Sequence, residues 1–265
     1  MPESTSSSVL DRKGLGVTSR SDAWWVGPLS VFLGLTAFGI YSTWAAWQGS
    51  FYAYTGHGAY YLSPFYSPDV KSLLGVNVPF SYAFLILWIP LGFRATCYYY
   101  RKSYYRAFFL SPAACAVGEP TGRKYKGETA FPFILQNIHR YFWYLGIIVV
   151  GFLWYDAIRA FFFAGKNGHL HFGVGVGTLI MLFNVIALSG FSFGCNSLRH
   201  LVGGKLDCFS CSASARARYK LWGGVTILNL KHMEWAWVSL FSVGFTDLYI
   251  RLCAMGIWHD VRIIH

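Results

Sequence analysis

Residues 23–47 run for twenty-five consecutive positions without a charged side chain. At about 1.5 Å of rise per residue, a helix of that length crosses a hydrocarbon layer of roughly 30 Å with some tilt. Four more apolar stretches follow, at 78–100 (interrupted only by Arg94), 131–163, 172–201 and 227–258. Composition agrees with this pattern: 55% of the residues are hydrophobic and 20% aromatic, while 12% are charged, half of the roughly 25% of a soluble domain. A soluble globular chain is thereby excluded, and so is a disordered one, because Trp, Tyr and Phe are abundant and charge is scarce. The expected fold is an all-α integral membrane protein, a five-transmembrane-helix bundle over residues 23–265. Residues 1–22 are polar and Ser-rich with no apolar h-region, which reads as a cytoplasmic tail and not as a signal peptide.

The formal net charge is +11, yet nucleic acid is not the expected partner, because the cations flank the apolar runs where lipid headgroups and topology account for them. The tail and the 101–130 and 199–231 loops hold fifteen Lys and Arg, against three in the 48–77 loop, the 164–171 turn and the C-terminal end. The positive-inside rule then sets the N-terminus in the cytoplasm and, after five spans of a cytoplasmic membrane, the C-terminus outside. The 48–77 loop, with Tyr52, Tyr54, Tyr60, Tyr61, Phe65 and Tyr66, reads as an interfacial aromatic belt. Gly173, Gly175 and Gly177 at the start of the fourth span allow close approach of a neighbouring helix. Five spans admit no even partition into inverted repeats, which disfavours a transporter.

With that topology, five of the six cysteines fall on the cytoplasmic side, and a disulfide framework of an oxidising compartment is a poor account of them. Cys97, Cys195, His139 and His232 come from spans two, four, three and five, each within about two turns of the inner end; Cys115 and His200 lie nearer the aqueous loops. Thiolates and imidazoles at one depth suit a transition-metal or iron–sulfur centre, with ordinary core packing as the plainer alternative. A b-type haem needs two His on facing helices, for which His139 with His232 or His200 would serve. A Rieske-type [2Fe–2S] cluster needs two His and two Cys, and it alone uses both residue types; the soluble C-x-H and C-x-x-H spacing is absent. Cys208 and Cys211 form a lone C-x-x-C compatible with free thiols or a zinc knuckle. Asp156 with Arg159, and Asp247 with Arg251, have the spacing of intrahelical ion pairs. Glu234 is either a support for the His232 imidazole or a solvated side chain.

The inner-face blocks Cys97-Tyr98-Tyr99-Tyr100-Arg101-Lys102, Gln136-Asn137-Ile138-His139-Arg140-Tyr141, Ser197-Leu198-Arg199-His200 and Asn229-Leu230-Lys231-His232-Met233, set in five spans of one polypeptide, resemble the membrane-anchor subunit of succinate dehydrogenase/fumarate reductase, respiratory complex II. They are similar to a branch of that family thought to lack haem. The resemblance implies a complex in which a flavoprotein oxidises succinate, an iron–sulfur subunit carries the electrons, and the anchor, which makes no succinate site, passes them to a quinone. Five-span anchors commonly hold two haems through four His on the first, second, fourth and fifth helices. Spans one and two here contain no His. That departure favours a Rieske-type [2Fe–2S] cluster on Cys97, Cys195, His139 and His232, with His200 and Cys115 in reserve, and haem b as the alternative. Tyr98 and Arg140, beside the expected ligands, are candidates to contact the quinone. A redox-inactive anchor is the remaining alternative.

Overall fold

The computed structural model describes residues 14–75, 77–120, 129–131, 133–165, 167–204 and 206–264. The start of the polar tail, residues 1–13, lies outside the described residues, as do Arg123, Lys124, Lys126, Lys166 and Lys205 of the charge count. The chain is mostly helical. Three helical segments are long and apolar enough to cross a membrane: Val26–Gln48, Ile134–Arg159 and Val176–Phe193.

In chain order the helices are α1 (Val26–Gln48), α2 (Val70–Leu74), α3 (Ala83–Ala95), α4 (Tyr98–Ala107), α5 (His139–Arg159), α6 (Val176–Phe193), α7 (Asn196–Gly203), α8 (Ala213–Leu230) and α9 (His232–Ala254). Six short strands, β1 (Ala53–Tyr54), β2 (Tyr61–Leu62), β3 (Phe162–Ala164), β4 (Leu170–Phe172), β5 (Val174–Gly175) and β6 (Arg262–Ile264), make three two-stranded antiparallel sheets in the connections. The expected span 78–100 is therefore two helices separated at Thr96 and Cys97, and 172–201 is two helices separated at Gly194 and Cys195. The expected start of the last span, 227, falls inside α8; Lys231, at φ −103° and ψ 19°, separates α8 from α9. The span 131–163 divides into a 3-10 turn, Phe133–Ile138, helix α5 and strand β3. Hydropathy averages over such one- or two-residue interruptions, because Cys, Gly and Thr are small and weakly polar.

Two compact units form, one from the described residues of Met1–Gly39 and Arg94–His139, the other from Ile40–Phe93 and Arg140–His265. In the first, the segment after the tail pairs with the loop following α4: Gly118 N donates to Val17 O at 2.7 Å, Thr18 bridges Val117, and Arg20 Nη1 donates to Cys115 O at 3.0 Å. Phe32 of α1 packs its ring 4.8 Å from that of Phe108.

In the second unit α6 packs along α9, and Val149, Leu153, Met181, Val185 and Ile250 form the core with Tyr54 and Tyr61. Four of the six aromatics of the 48–77 loop expected to form an interfacial belt are buried in the protein instead. Tyr54, Tyr61, Phe65 and Tyr66 are buried, Tyr52 stacks on Tyr66 at 4.2 Å, and the Tyr66 hydroxyl reaches the carbonyls of Ala45 and Ala46, which the end of α1 leaves without helical donors. Burial pushes the Tyr61 phenol well above its usual range, and it stays a neutral donor to Asp260 at 2.8 Å. Two of the glycines opening the fourth span meet Tyr61 of this loop: a Cβ on Gly175 would lie 2.6 Å from its hydroxyl and one on Gly177 would run into its ring, while one on Gly173 would lie 2.8 Å from Phe163 of β3.

Large apolar side chains cover much of the outer surface, among them Leu33, Ile40 and Trp47 of α1, Trp88 and Leu91 of α3, and Phe241 of α9. Surface of this kind is stable against lipid and unstable against water.

Candidate redox-centre residues

Each of the four expected ligands stands where a helical piece begins. Cys97 and Cys195 are the N-cap residues of α4 and α7, with extended backbone at φ −67°, ψ 131° and φ −69°, ψ 139°. His139 and His232 are the first residues of α5 and α9. Both thiols are buried, Cys97 at 4% and Cys195 at 2% exposure. A helix start presents backbone N–H groups that can donate to a cysteine sulfur.

Within the first unit, the residue before Cys97 touches His139: Thr96 Oγ1 lies 2.9 Å from His139 Nδ1. The same turn is bound at Ala95, whose carbonyl accepts the Tyr104 hydroxyl at 3.0 Å; Gln136 Nε2 donates to that hydroxyl at 3.2 Å. Within the second unit, the His232 ring stacks on Phe191, 4.9 Å between centroids and 18° from parallel, one turn before Cys195. The carbonyls at the end of α6 take side-chain donors: Trp143 Nε1 reaches Ser192 O at 2.9 Å and Asn229 Nδ2 reaches Gly194 O at 2.8 Å. Gly194 also admits Leu228 closely, since a Cβ there would lie 3.0 Å from Leu228 O. Cys195 Sγ accepts Ser197 N at 3.4 Å. A Cys/His pair thus occurs in each unit. Among the described residues no group of three or more His, Cys, Asp or Glu is placed to hold a metal ion.

The reserve ligands are less sheltered. Cys115 and His200 are exposed, the former in the loop paired with the tail, the latter on α7 with its carbonyl accepting Gly204 N at 2.8 Å. Tyr98 is exposed with the Arg101 guanidinium 4.7 Å over its ring, and Arg140 is exposed as the second residue of α5. Cys208 and Cys211 are joined in a disulfide, in place of the free thiols or zinc knuckle considered above.

Of the two intrahelical ion pairs expected, one forms. Arg251 Nε donates to Asp247 Oδ2 at 2.7 Å, both fully buried. Asp156 instead accepts the Ser67 hydroxyl, while Arg159 Nη1 turns to Phe162 O at 2.7 Å. Glu234 pairs with Lys231 at 3.4 Å on the exposed surface, which is the solvated alternative. Sequence reading missed Thr96, Trp143 and Phe191, none of which carries a motif, and gave Asn229 no role beyond its place in a resemblance block.

Residues 26–256 match the family model described as actinobacterial succinate dehydrogenase subunit SdhC. A chain of the Mycobacterium smegmatis Sdh1 complex in the apo form is similar at 45% sequence identity and a TM-score of 0.82, with 94% of each chain covered. No curated protein matches.

Proposed function

The chain belongs to the actinobacterial succinate dehydrogenase SdhC subunits, and from that membership we propose that it is the five-span anchor that takes electrons from a soluble iron–sulfur subunit, itself bound to a flavoprotein, and delivers them to a quinone at the cytoplasmic face. The three long apolar helices account for three spans. α9 supplies a fourth: 23 residues reach about 34 Å, and its Asp247 and Arg251 neutralise each other in the interior. α3, 13 residues and about 20 Å, supplies the fifth with the segments flanking it. The N-terminus is inside and the C-terminus outside.

The observation that supports the redox reading is that each of the two buried thiols and two imidazoles stands at the start of a helix, of α4, α7, α5 and α9. Their donor chemistry fits a Rieske-type [2Fe–2S] cluster: Cys97 and Cys195 would hold one iron, His139 and His232 the other. When bound, such a cluster supplies a one-electron relay whose imidazole ligands raise its potential relative to all-thiolate ligation. The chain's own residues shield the thiols from water, orient the imidazoles through Thr96 and Phe191, and present Tyr98 and Arg140 as exposed hydrogen-bond donors for a quinone carbonyl.

Iron analysis and paramagnetic spectroscopy of the purified complex test this. The expected result is a Rieske-type signal on reduction, with His139→Ala and His232→Ala each abolishing quinone reduction while succinate oxidation by an artificial acceptor continues. A pyridine haemochrome signal of one haem per chain without that paramagnetic signal overturns it in favour of haem b ligated by His139 and His232.

A further inference from the structure

We propose that Cys208 and Cys211 are a reversible dithiol/disulfide pair, a site of thiol–disulfide exchange with a cytoplasmic dithiol protein; the compartment rests on the topology proposed above. The pair is closed as a disulfide across two intervening residues, in the turn between α7 and α8. Cys211 is exposed and Cys208 half-buried, whereas Cys97, Cys195 and Cys253 are buried. Cytoplasmic thiol systems keep most cysteines reduced, and a disulfide that forms against them is usually a transient, redox-sensing one.

A ring this small constrains the unfolded chain little, so the bond adds less to the fold than one closing a long loop. The turn is held by other contacts. Arg216 Nη1 donates to Ser210 O at 2.9 Å, Ser212 Oγ accepts Ala215 N at 3.1 Å and caps α8, and the Phe209 ring lies 4.8 Å from that of Tyr219. Arg218 ties α8 back to the end of α7, Nε to Val202 O at 2.8 Å and Nη2 to Gly204 O at 2.7 Å. Once reduced, the two thiols therefore stay near each other, and reoxidation is an intramolecular closure of a short, ordered segment. The bond to Ser210 also brings the Arg216 guanidinium beside the turn, and a neighbouring cation favours thiolate, the form that exchanges. Asp207, one residue before Cys208, is the opposing charge.

Exchange begins at the exposed sulfur. An incoming thiolate bonds to Cys211 Sγ, the Sγ–Sγ bond breaks, and its electron pair leaves on Cys208 as a thiolate that takes a proton from water; the Ser210 hydroxyl stands 3.9 Å from Cys208 Sγ to receive that charge. The second thiol of the partner then attacks the partner's own sulfur in the mixed disulfide and releases Cys211. The pair gains two electrons and two protons while the partner becomes a disulfide, and a disulfide oxidant runs the sequence backwards.

The test equilibrates the detergent-solubilised complex in glutathione buffers, alkylates the free thiols and maps the peptide that holds both cysteines by mass spectrometry. The disulfide-to-dithiol ratio is expected to follow oxidised glutathione over the square of reduced glutathione, with the same curve reached from either starting state. In oxidised glutathione, Cys208→Ser is expected to carry a glutathione adduct on Cys211, and Cys211→Ser to lose most of that adduct because Cys208 is half-buried. A bond that persists in reduced glutathione overturns the proposal, as do thiols that never close in oxidised glutathione; equal adducts in the two variants overturn Cys211 as the attacked sulfur. In sealed membrane vesicles, an impermeant alkylating reagent added after reduction is expected to label the pair from the cytoplasmic side alone. Labelling from the outer side alone, with exchange intact in detergent, overturns the topology and with it the cytoplasmic partner, which is a distinguishable failure.

Discussion

Arg251 is the side chain whose loss should cost this protein most. Its guanidinium is 1% exposed and fully engaged: Nε to Asp247 Oδ2 at 2.7 Å, Nη1 to Ser50 O at 2.8 Å and Nη2 to Ala45 O at 2.7 Å. Asp247 in turn accepts the Tyr41 hydroxyl at 2.7 Å and the Ser63 hydroxyl. Removing one member of a buried pair strands the other charge, so Arg251→Met should destabilise the chain by about 3–5 kcal/mol. Tyr41→Phe, which removes one bond to a charged group, should cost about 1.5–3 kcal/mol. Thermal unfolding of the purified complex checks the order; equal midpoints for the two variants would contradict it. The Asp247–Arg251 pair was legible as i,i+4 spacing. Asp156 and Arg159 have comparable spacing and do not pair, because Ser67 lies 89 positions away in sequence yet reaches the carboxylate first.

Where helices stop matters as much as where they run. α6 ends at Phe193, and two side chains add donors there: Trp143 to Ser192 O in the last turn and Asn229 to Gly194 O just beyond it. Asn229→Ala leaves Gly194 O without its donor and should cost about 1–3 kcal/mol. Because Gly194 precedes Cys195, the same variant should broaden the paramagnetic signal of the complex, whereas a substitution of exposed Leu230 by Met should change neither unfolding nor signal. Gly190 belongs to the same packing: a Cβ there would lie 2.5 Å from the Trp235 ring, three residues beyond His232. These interruptions were invisible in hydropathy, since Thr96, Cys97, Gly194 and Cys195 are tolerated inside an apolar run. The apolar runs themselves were legible, since transfer from water to lipid is set by each side chain's own surface and adds along the chain.

For the molecule as a whole, the proposed five spans predict opposite sides for two labels. A single reporter cysteine replacing Lys124 should react only with reagent supplied from the cytoplasmic side, and one replacing Arg262 only from outside. Reaction of both from one side would require an even number of spans between them and would rule out the five-span arrangement. The basic segments at α8, with Arg216, Arg218 and Lys220, combine charge with exposed Tyr219 and Leu221, a surface composition suited to docking a soluble redox subunit. Isolation in mild detergent should therefore recover a flavoprotein and an iron–sulfur protein with the chain.

Read alone, the sequence determined that this chain lives in a membrane, where its apolar segments fall, and which residue types are available for redox chemistry. Each of these is a property of single residues or of neighbours in the chain, written locally. Tertiary structure decided that Cys97, His139, Cys195 and His232 begin helices, that Thr96 touches one imidazole and Phe191 another, and that Tyr54, Tyr61 and Tyr66 are core and not belt. Those outcomes depend on contacts such as Tyr41 with Asp247, 206 positions apart, and Tyr61 with Asp260, 199 apart. A hydrogen bond is short-ranged and directional, so its partner is chosen by how the helices pack, and that choice is carried by no segment by itself.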